Sequence, residues 1–188
     1  MKPILIAYAT REGQSRRIAE HLAATTRARG LTAQVMNVAT MPDGFSLDSH
    51  GAAVLVASVH MHKHEREMVE FVQSKRQILE RLPAFFLSVS LAEASVENPE
   101  TPEARRAQTK ADIERIIEEF LTETGWQPAH IRAVAGALMY TKYDFLTRFF
   151  MKQMARLAGG STDTSSDHEY TNWEALDKVI DELLRDVA

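Results

Sequence analysis

Groups able to bind a phosphate follow the first apolar segment of the chain. The apolar run 4–9 ends at a polar loop, Thr10-Arg11-Glu12-Gly13-Gln14-Ser15, and a helix pattern begins directly after it. The free N–H groups of such a loop and the positive end of the helix dipole attract an anion. Thr10 and Ser15 add hydroxyl donors, while Arg11 either pairs with the phosphate or points into water. The pattern predicts a phosphate site, although the same order of elements also opens α/β proteins that bind nothing there.

The kind of phosphate ligand is narrowed by what this loop lacks. No Gly-Lys-Ser/Thr follows, so it is not a Walker A motif, and Gly13 stands alone, so it is not Gly-x-Gly-x-x-Gly. Nucleoside triphosphates and dinucleotides held in those two ways are therefore excluded.

Two further strand-end loops combine hydroxyl and apolar side chains. The first is Ser58-Val59-His60-Met61 and the second is Ser88-Val89-Ser90-Leu91. Beside a phosphate loop they suit a mononucleotide with a flat ring, packed by Val59, Met61 and Leu91. The alternative is that both are ordinary strand-end loops.

Strand and helix patterns alternate along the chain, and this order determines where the loops meet. Apolar or alternating segments predict five strands, at 4–9, 32–38, 52–58, 84–89 and 131–138. We expect an α/β fold in one domain over 1–188: a three-layer sandwich with a five-stranded parallel sheet of order 2-1-3-4-5 and helices on both faces. The carboxyl ends of its strands would gather all three loops near the switch point between strands 1 and 3. Thr171-Asn172-Trp173-Glu174 predicts a capping box at the start of the last helix.

Other chemistries find little support. The chain has no cysteine, which excludes disulfides, thiolate catalysis and cysteine-bound metals. A receiver domain needs acids where Ala9-Thr10 and Ala57-Ser58 stand. His60, His62 and His64 alternate as ligands on a strand would, but the segment is expected to enter a helix, so we predict no metal site. No serine stands in a Gly-x-Ser-x-Gly elbow, so an enzyme here would depend on a cofactor.

A basic, aromatic helix is predicted over 143–158. Basic residues, among them Arg148 and Lys152, recur every four positions beside an apolar stripe. The pattern fits a core-packing helix with a solvated face, or a helix that contacts an anionic membrane surface or a large apolar acid. Tyr140 and Tyr143, just before it, suit either alternative.

Charge and hydropathy limit the partners and the locations that we expect for the protein. The net charge of −4 argues against nucleic-acid binding. No apolar run approaches the roughly 20 residues of a membrane span, and the start, Met1-Lys2-Pro3-Ile4, does not resemble a signal peptide. We expect a cytoplasmic protein, with peripheral contact at the inner face of the membrane as one alternative and a homo-oligomer compatible with the sequence.

Four further motifs occur in the second half of the chain. They are Gly125-Trp126-Gln127-Pro128, Ala135-Gly136-Ala137-Leu138-Met139-Tyr140, Gly159-Gly160-Ser161-Thr162-Asp163-Thr164 and Tyr170-Thr171-Asn172-Trp173. With the three loops, of which Thr-x-x-Gly-x-Ser is similar to the flavodoxin loop for the FMN phosphate, they identify a resemblance to the flavodoxin superfamily. Within it, the chain most resembles the quinone-dependent protoporphyrinogen dehydrogenases.

The resemblance implies FMN as the cofactor, bound by the three loops. It also implies stepwise removal of hydrogens from a porphyrinogen, or another flat apolar substrate, with a quinone as electron acceptor. Residues expected to frame the substrate or touch a membrane are Tyr140, Tyr143, Arg148, Lys152, Thr162 and Asp163. Two alternatives stay open: an electron carrier or small quinone reductase with the same flavin, and a non-enzymatic flavodoxin-like binding module.

Two segments depart from the family pattern. His60-Met61-His62-Lys63-His64 has no glycine, although glycine would allow the turn after strand 3 to flip a peptide at low cost. The loop expected over 91–101 carries Glu93, Glu97 and Glu100, which would repel the carboxylates of a porphyrinogen.

Overall fold

The computed structural model describes residues 2–138, 140–142 and 163–187. Its strands are β1 (Ile4–Ala9), β2 (Ala33–Asn37), β3 (Ala52–His60), β4 (Lys63–His64), β5 (Ala84–Ser90), β6 (His130–Ala135), β7 (Ala137–Leu138) and β8 (His168–Glu169). Its helices are α1 (Gln14–Ala28), α2 (Arg66–Leu79), α3 (Glu93–Glu97), α4 (Glu103–Thr124) and α5 (Trp173–Val187). The helix predicted over 143–158 lies outside the described residues.

The five long strands form one parallel sheet in the order β2-β1-β3-β5-β6. The winding predicted for the long strands is therefore confirmed. The numbering differs from 2-1-3-4-5 because a two-residue strand, β4, pairs antiparallel with the end of β3. Its two residues are too few to show a period of their own.

Alternate residues of the central strands enter two separate cores. Ile4 and Ile6 face a core closed by α1 and α5, whereas Leu5 and Ala7 face a core closed by α2 and α4. Because both faces are covered, β1 is buried along its whole length, which is why it reads as an uninterrupted apolar run. The carboxyl ends of the strands are the place where polar loops emerge from this rigid layer.

The strand predicted over 131–138 is interrupted at Gly136. There the chain leaves the sheet, and the Gly136 N–H donates to the Ser90 carbonyl at 3.0 Å. The two residues beyond it form β7, which pairs antiparallel with β8. This two-stranded ribbon brings Leu138 beside His168, at the carboxyl end of the sheet.

The loop expected over 91–101 contains a short helix, α3. Its start is tied to the end of β5, because the Glu93 N–H donates to Ser90 Oγ at 3.3 Å. The backbone of Glu93 is thereby held at the end of β5.

Candidate functional site

A cleft opens at the carboxyl ends of β1, β3, β5 and β6. The predicted residues that line it are Thr10, Arg11, Glu12, Gln14, Ser58, Val59, His60, Val89, Ser90 and Leu91. Sequence reasoning missed three more, Glu65, Gly136 and Ala137. Its enclosed volume is about 100 Å³, below the roughly 300 Å³ of pockets that bury a drug-sized ligand. A flat ring would therefore lie partly in the open mouth.

The loop before α1 is shaped by Gly13. Its φ of 103° and ψ of −4° lie in the left-handed region, where a side chain is costly. The Gly13 N–H donates to Thr10 Oγ1 at 2.9 Å, which closes the loop. No side chain of the described residues caps α1, and its first turn holds no acidic residue. The first-turn N–H groups are therefore available to an anion.

Ser15 provides a direct test of whether this loop fits a phosphate. Its side chain is fully buried, and its Oγ has no hydrogen-bond partner within the part of the chain that the structure describes. A buried hydroxyl left without a partner costs stability. A phosphate oxygen at the start of α1 would supply the missing acceptor, so the loop fits the group.

Gln14 joins this loop to the far end of the chain. Its Nε2 donates to Glu169 Oε1 and to Thr171 Oγ1, both at 2.8 Å. The Thr171 hydroxyl in turn donates to the Ala135 carbonyl at 2.7 Å. The capping box predicted with Thr171 as cap is therefore wrong: Asn172 Oδ1 accepts from the Ala175 N–H at 3.0 Å instead. The Thr171 hydroxyl therefore forms a tertiary hydrogen bond to Ala135 and does not cap the helix that follows it.

The part of the cleft that follows β3 contains a buried carboxylate, Glu65. Its Oε1 accepts from Ser58 Oγ at 3.1 Å, and its Oε2 pairs with Arg11 Nη2 at 3.3 Å. In the sequence Glu65 is an ordinary acid just before a helix, and its neighbours along the chain do not indicate that its carboxylate meets Ser58 and Arg11.

The turn between β3 and β4 is built from two residues in the left-handed region. Met61 has φ 48° and His62 has φ 64°, and the flanking pairs are Val59 with His64 and His60 with Lys63. Met61, predicted as a packing surface for the ring, is 83% exposed and is not among the residues that line the cleft. The tight hairpin forms without glycine.

His64 is buried and is held by aromatic and hydroxyl contacts. Its ring sits between Phe86 and Phe120, with centroid distances of 5.2 and 4.8 Å. His64 Nε2 lies 2.9 Å from Ser88 Oγ. Burial lowers the pKa of His64 to about 4, so the ring is neutral at pH 7. Ser88, predicted to contact the cofactor, is buried, and its hydroxyl forms the hydrogen bond with His64.

Two carboxylates lie on α3, the short helix that follows β5. Burial, and secondarily the charge of Glu97, raises the pKa of Glu93. Burial also raises the pKa of Glu97. Glu93 is partly buried and Glu97 is exposed, and both carboxyl groups hold their protons more tightly than an ordinary glutamate does.

The residues predicted to frame a substrate are only partly described. Tyr140 is fully buried against Leu138, so its side chain does not face a membrane. Asp163 is exposed, and its carboxylate accepts from Ser165 Oγ at 2.6 Å. The others, Tyr143, Arg148, Lys152 and Thr162, lie outside the described residues.

The described residues contain neither a cluster of metal ligands nor a membrane-spanning helix. Within 2–138, 140–142 and 163–187, no three acidic or histidine side chains are grouped as a metal ion requires. No helix in these ranges combines the length and hydropathy needed to cross a bilayer.

A doubly wound parallel sheet whose first strand leads through a hydroxyl-containing loop into a helix is typical of mononucleotide-binding α/β proteins. Residues 5–165 match the family described as a flavodoxin domain. The chain belongs to this flavodoxin family, as the sequence predicted, and the fold supports a flavin cofactor.

Named relatives are more specific. The chain is 31% identical over 179 residues to "Protoporphyrinogen IX dehydrogenase [quinone]" of Escherichia coli K12, covering 95% of this chain and 93% of that one. A protein of the same name in Leishmania major is 26% identical, over 92% of this chain and 70% of that one.

Solved structures agree on the fold. Oxidised flavodoxin 1 from Bacillus cereus has a TM-score of 0.57 at 13% identity, with 99% of each chain covered. A short-chain flavodoxin associated with a bacterial microcompartment has a TM-score of 0.55 at 10% identity over all of both chains.

Proposed function

We propose that this protein is an FMN-dependent oxidoreductase that oxidises protoporphyrinogen IX and passes the electrons to a quinone. The observation that carries the proposal is the 31% identity to the Escherichia coli enzyme along 95% of the chain. The cleft supports it independently, because a phosphate loop and two apolar strand-end loops converge on it.

The proposal assigns a part of the cleft to each part of FMN. The first-turn N–H groups of α1 and the hydroxyls of Thr10 and Ser15 hold the phosphate. Val59 and Leu91 contact the ring, which lies at the mouth of the cleft. One phosphate-binding loop suits FMN, which has a single phosphate, better than a dinucleotide flavin. When bound, FMN supplies the centre that takes electrons from the substrate and gives them to the quinone.

Binding is tested by titrating the protein with FMN and recording the visible absorption spectrum. Wild-type protein takes up FMN, and Gly13→Asp loses it because a charge and a side chain then stand against the phosphate. Gly44→Asp is the matched control: Gly44 also has a positive φ, 78°, but a Cβ added there meets no described atom within 4 Å. Equal FMN affinity in all three proteins would overturn the site.

Activity is tested on the FMN-loaded protein with protoporphyrinogen IX and a quinone. We expect the porphyrin product to form only when both are present. FMN uptake without porphyrin formation would instead support an electron carrier or a small quinone reductase on the same fold.

A further inference from the structure

Arg11 and Glu65 form an ion pair across the mouth of the cleft. Arg11 Nη2 lies 3.3 Å from Glu65 Oε2, and the two side chains are 57% and 8% exposed. Arg11 belongs to the loop before α1, whereas Glu65 immediately precedes α2. The pair therefore joins the wall assigned to the phosphate with the wall assigned to the ring.

Glu65 is fixed independently of Arg11. Its N–H donates to the Ser58 carbonyl at 3.2 Å, and its Oε1 accepts from the Ser58 hydroxyl at 3.1 Å. Two bonds thus hold it on the end of β3, and the arginine must come to it. The longer and more exposed partner of the pair is Arg11.

Arg11 has two candidate anionic partners once a phosphate is bound. Moving to the phosphate would take the cation away from Glu65, whose carboxylate is 8% exposed, and a buried carboxylate without a cation is unfavourable. A phosphate at the start of α1 would have the first-turn N–H groups as donors, whereas the Glu65 carboxylate accepts from Arg11 and from the Ser58 hydroxyl. The balance keeps Arg11 on Glu65.

We propose that Arg11 is a positioning residue that braces the phosphate loop against the end of β3 and so sets the width of the ring cleft, and that it does not bind the phosphate. The inference rests on the flavin site proposed above. It assigns the effect of Arg11 to the ring, which FMN and riboflavin share, and not to the phosphate, which riboflavin lacks.

The first test compares FMN with riboflavin by quenching of flavin fluorescence. Arg11→Gln should weaken both ligands by the same factor, about tenfold, so that their affinity ratio is unchanged. Ser15→Ala is the matched phosphate-side control and should weaken FMN alone. Loss of FMN affinity alone in Arg11→Gln would show that Arg11 serves the phosphate and would overturn the brace.

A double-mutant cycle tests the pair itself. Glu65→Gln keeps the hydrogen bond to Ser58 and removes the charge that attracts Arg11. It should weaken both flavins as Arg11→Gln does, and the double variant should be no weaker than either single one. Arg11→Lys should restore part of the affinity, because it keeps a cation on a long side chain. Additive losses would contradict coupling through the pair.

A readout without flavin separates failure of the brace from failure of the proposed function. In ligand-free protein, both single variants should speed amide hydrogen exchange over residues 58–65, and the double variant should add nothing. If wild-type protein binds neither flavin, the proposed function fails while this exchange still tests the brace. Unchanged exchange over 58–65 would refute it.

Discussion

Gln14 Nε2 lies 2.8 Å from Thr171 Oγ1, and this buried hydrogen bond joins the first residue of α1 to the segment before α5. A second bond from the same nitrogen reaches Glu169, whose carboxylate also lies 2.6 Å from Arg17 Nη1. The loop before α1 is therefore held in place by residues more than 150 positions away along the chain. Its shape before ligand binding depends on the ribbon of β7 and β8.

Thr171→Val should destabilise the fold and weaken FMN binding together. The substitution keeps the shape of the side chain but leaves the Ala135 carbonyl and Gln14 each without one partner. An unsatisfied buried group costs about 1–3 kcal/mol of the free energy of unfolding, measurable by urea denaturation. Thr122→Val, at an exposed position of α4, is the control and should change little. Equal stability of the two variants would show that the link is not important.

Stability should fall between pH 6.5 and pH 4 because of His64. Its pKa is lowered to about 4 in the folded protein. Over this range the His64 ring therefore binds a proton in the unfolded chain but not in the folded one. The full effect is about 3 kcal/mol, lost progressively as the pH falls. His64→Gln should flatten the pH dependence of the urea midpoint, whereas His62→Gln, at an exposed position, should leave it steep. If the urea midpoint of His64→Gln still falls as steeply with pH, groups other than His64 cause the loss of stability.

Met61→Asn combined with His62→Gly should stabilise the protein. The present pair holds the left-handed conformation at both turn positions, at a cost of roughly 1–2 kcal/mol each, and Asn-Gly is the preferred pair for such a two-residue hairpin turn. We expect a higher urea midpoint with unchanged slope. Gly30→Ala, which introduces a Cβ at φ 78° with no described atom within 4 Å, should shift the midpoint the other way. A lower midpoint in the double variant would mean that Met61 or His62 makes a contact worth more than the strain.

The long elements could be predicted from the sequence because burial on both faces leaves a visible pattern. The apolar runs of β1, β3 and β5 and the order of helices between them determine the winding of the sheet. β4 could not be found this way, since pairing with β3 creates it. Thr171 misled the local pattern for the same reason: its hydroxyl is bound to β6 and not to the helix it precedes.

The candidate site divides in a similar way. Loops that follow strands were predictable, because the carboxyl ends of parallel strands share one edge. Glu65 was not, because nothing in its neighbours along the chain shows that Ser58 and Arg11 will meet its carboxylate. Gly136 lines the cleft only because β6 stops there and the chain turns onto the Ser90 carbonyl.

Glu93→Gln should stabilise the protein at pH 7 and improve the binding of an anionic substrate. Burial and then the charge of Glu97 raise the pKa of Glu93, so the folded state favours the protonated form. That contribution is complete below the ordinary value of 4.5 and is lost as the pH rises through the raised value. The glutamine should therefore raise the urea midpoint at pH 7 more than at pH 4, and Glu100→Gln, at an exposed position, should not. Because like charges near a cleft oppose an anion, the KM for protoporphyrinogen IX should also fall in Glu93→Gln. A midpoint shift without a change in KM would place the carboxylate away from the substrate path.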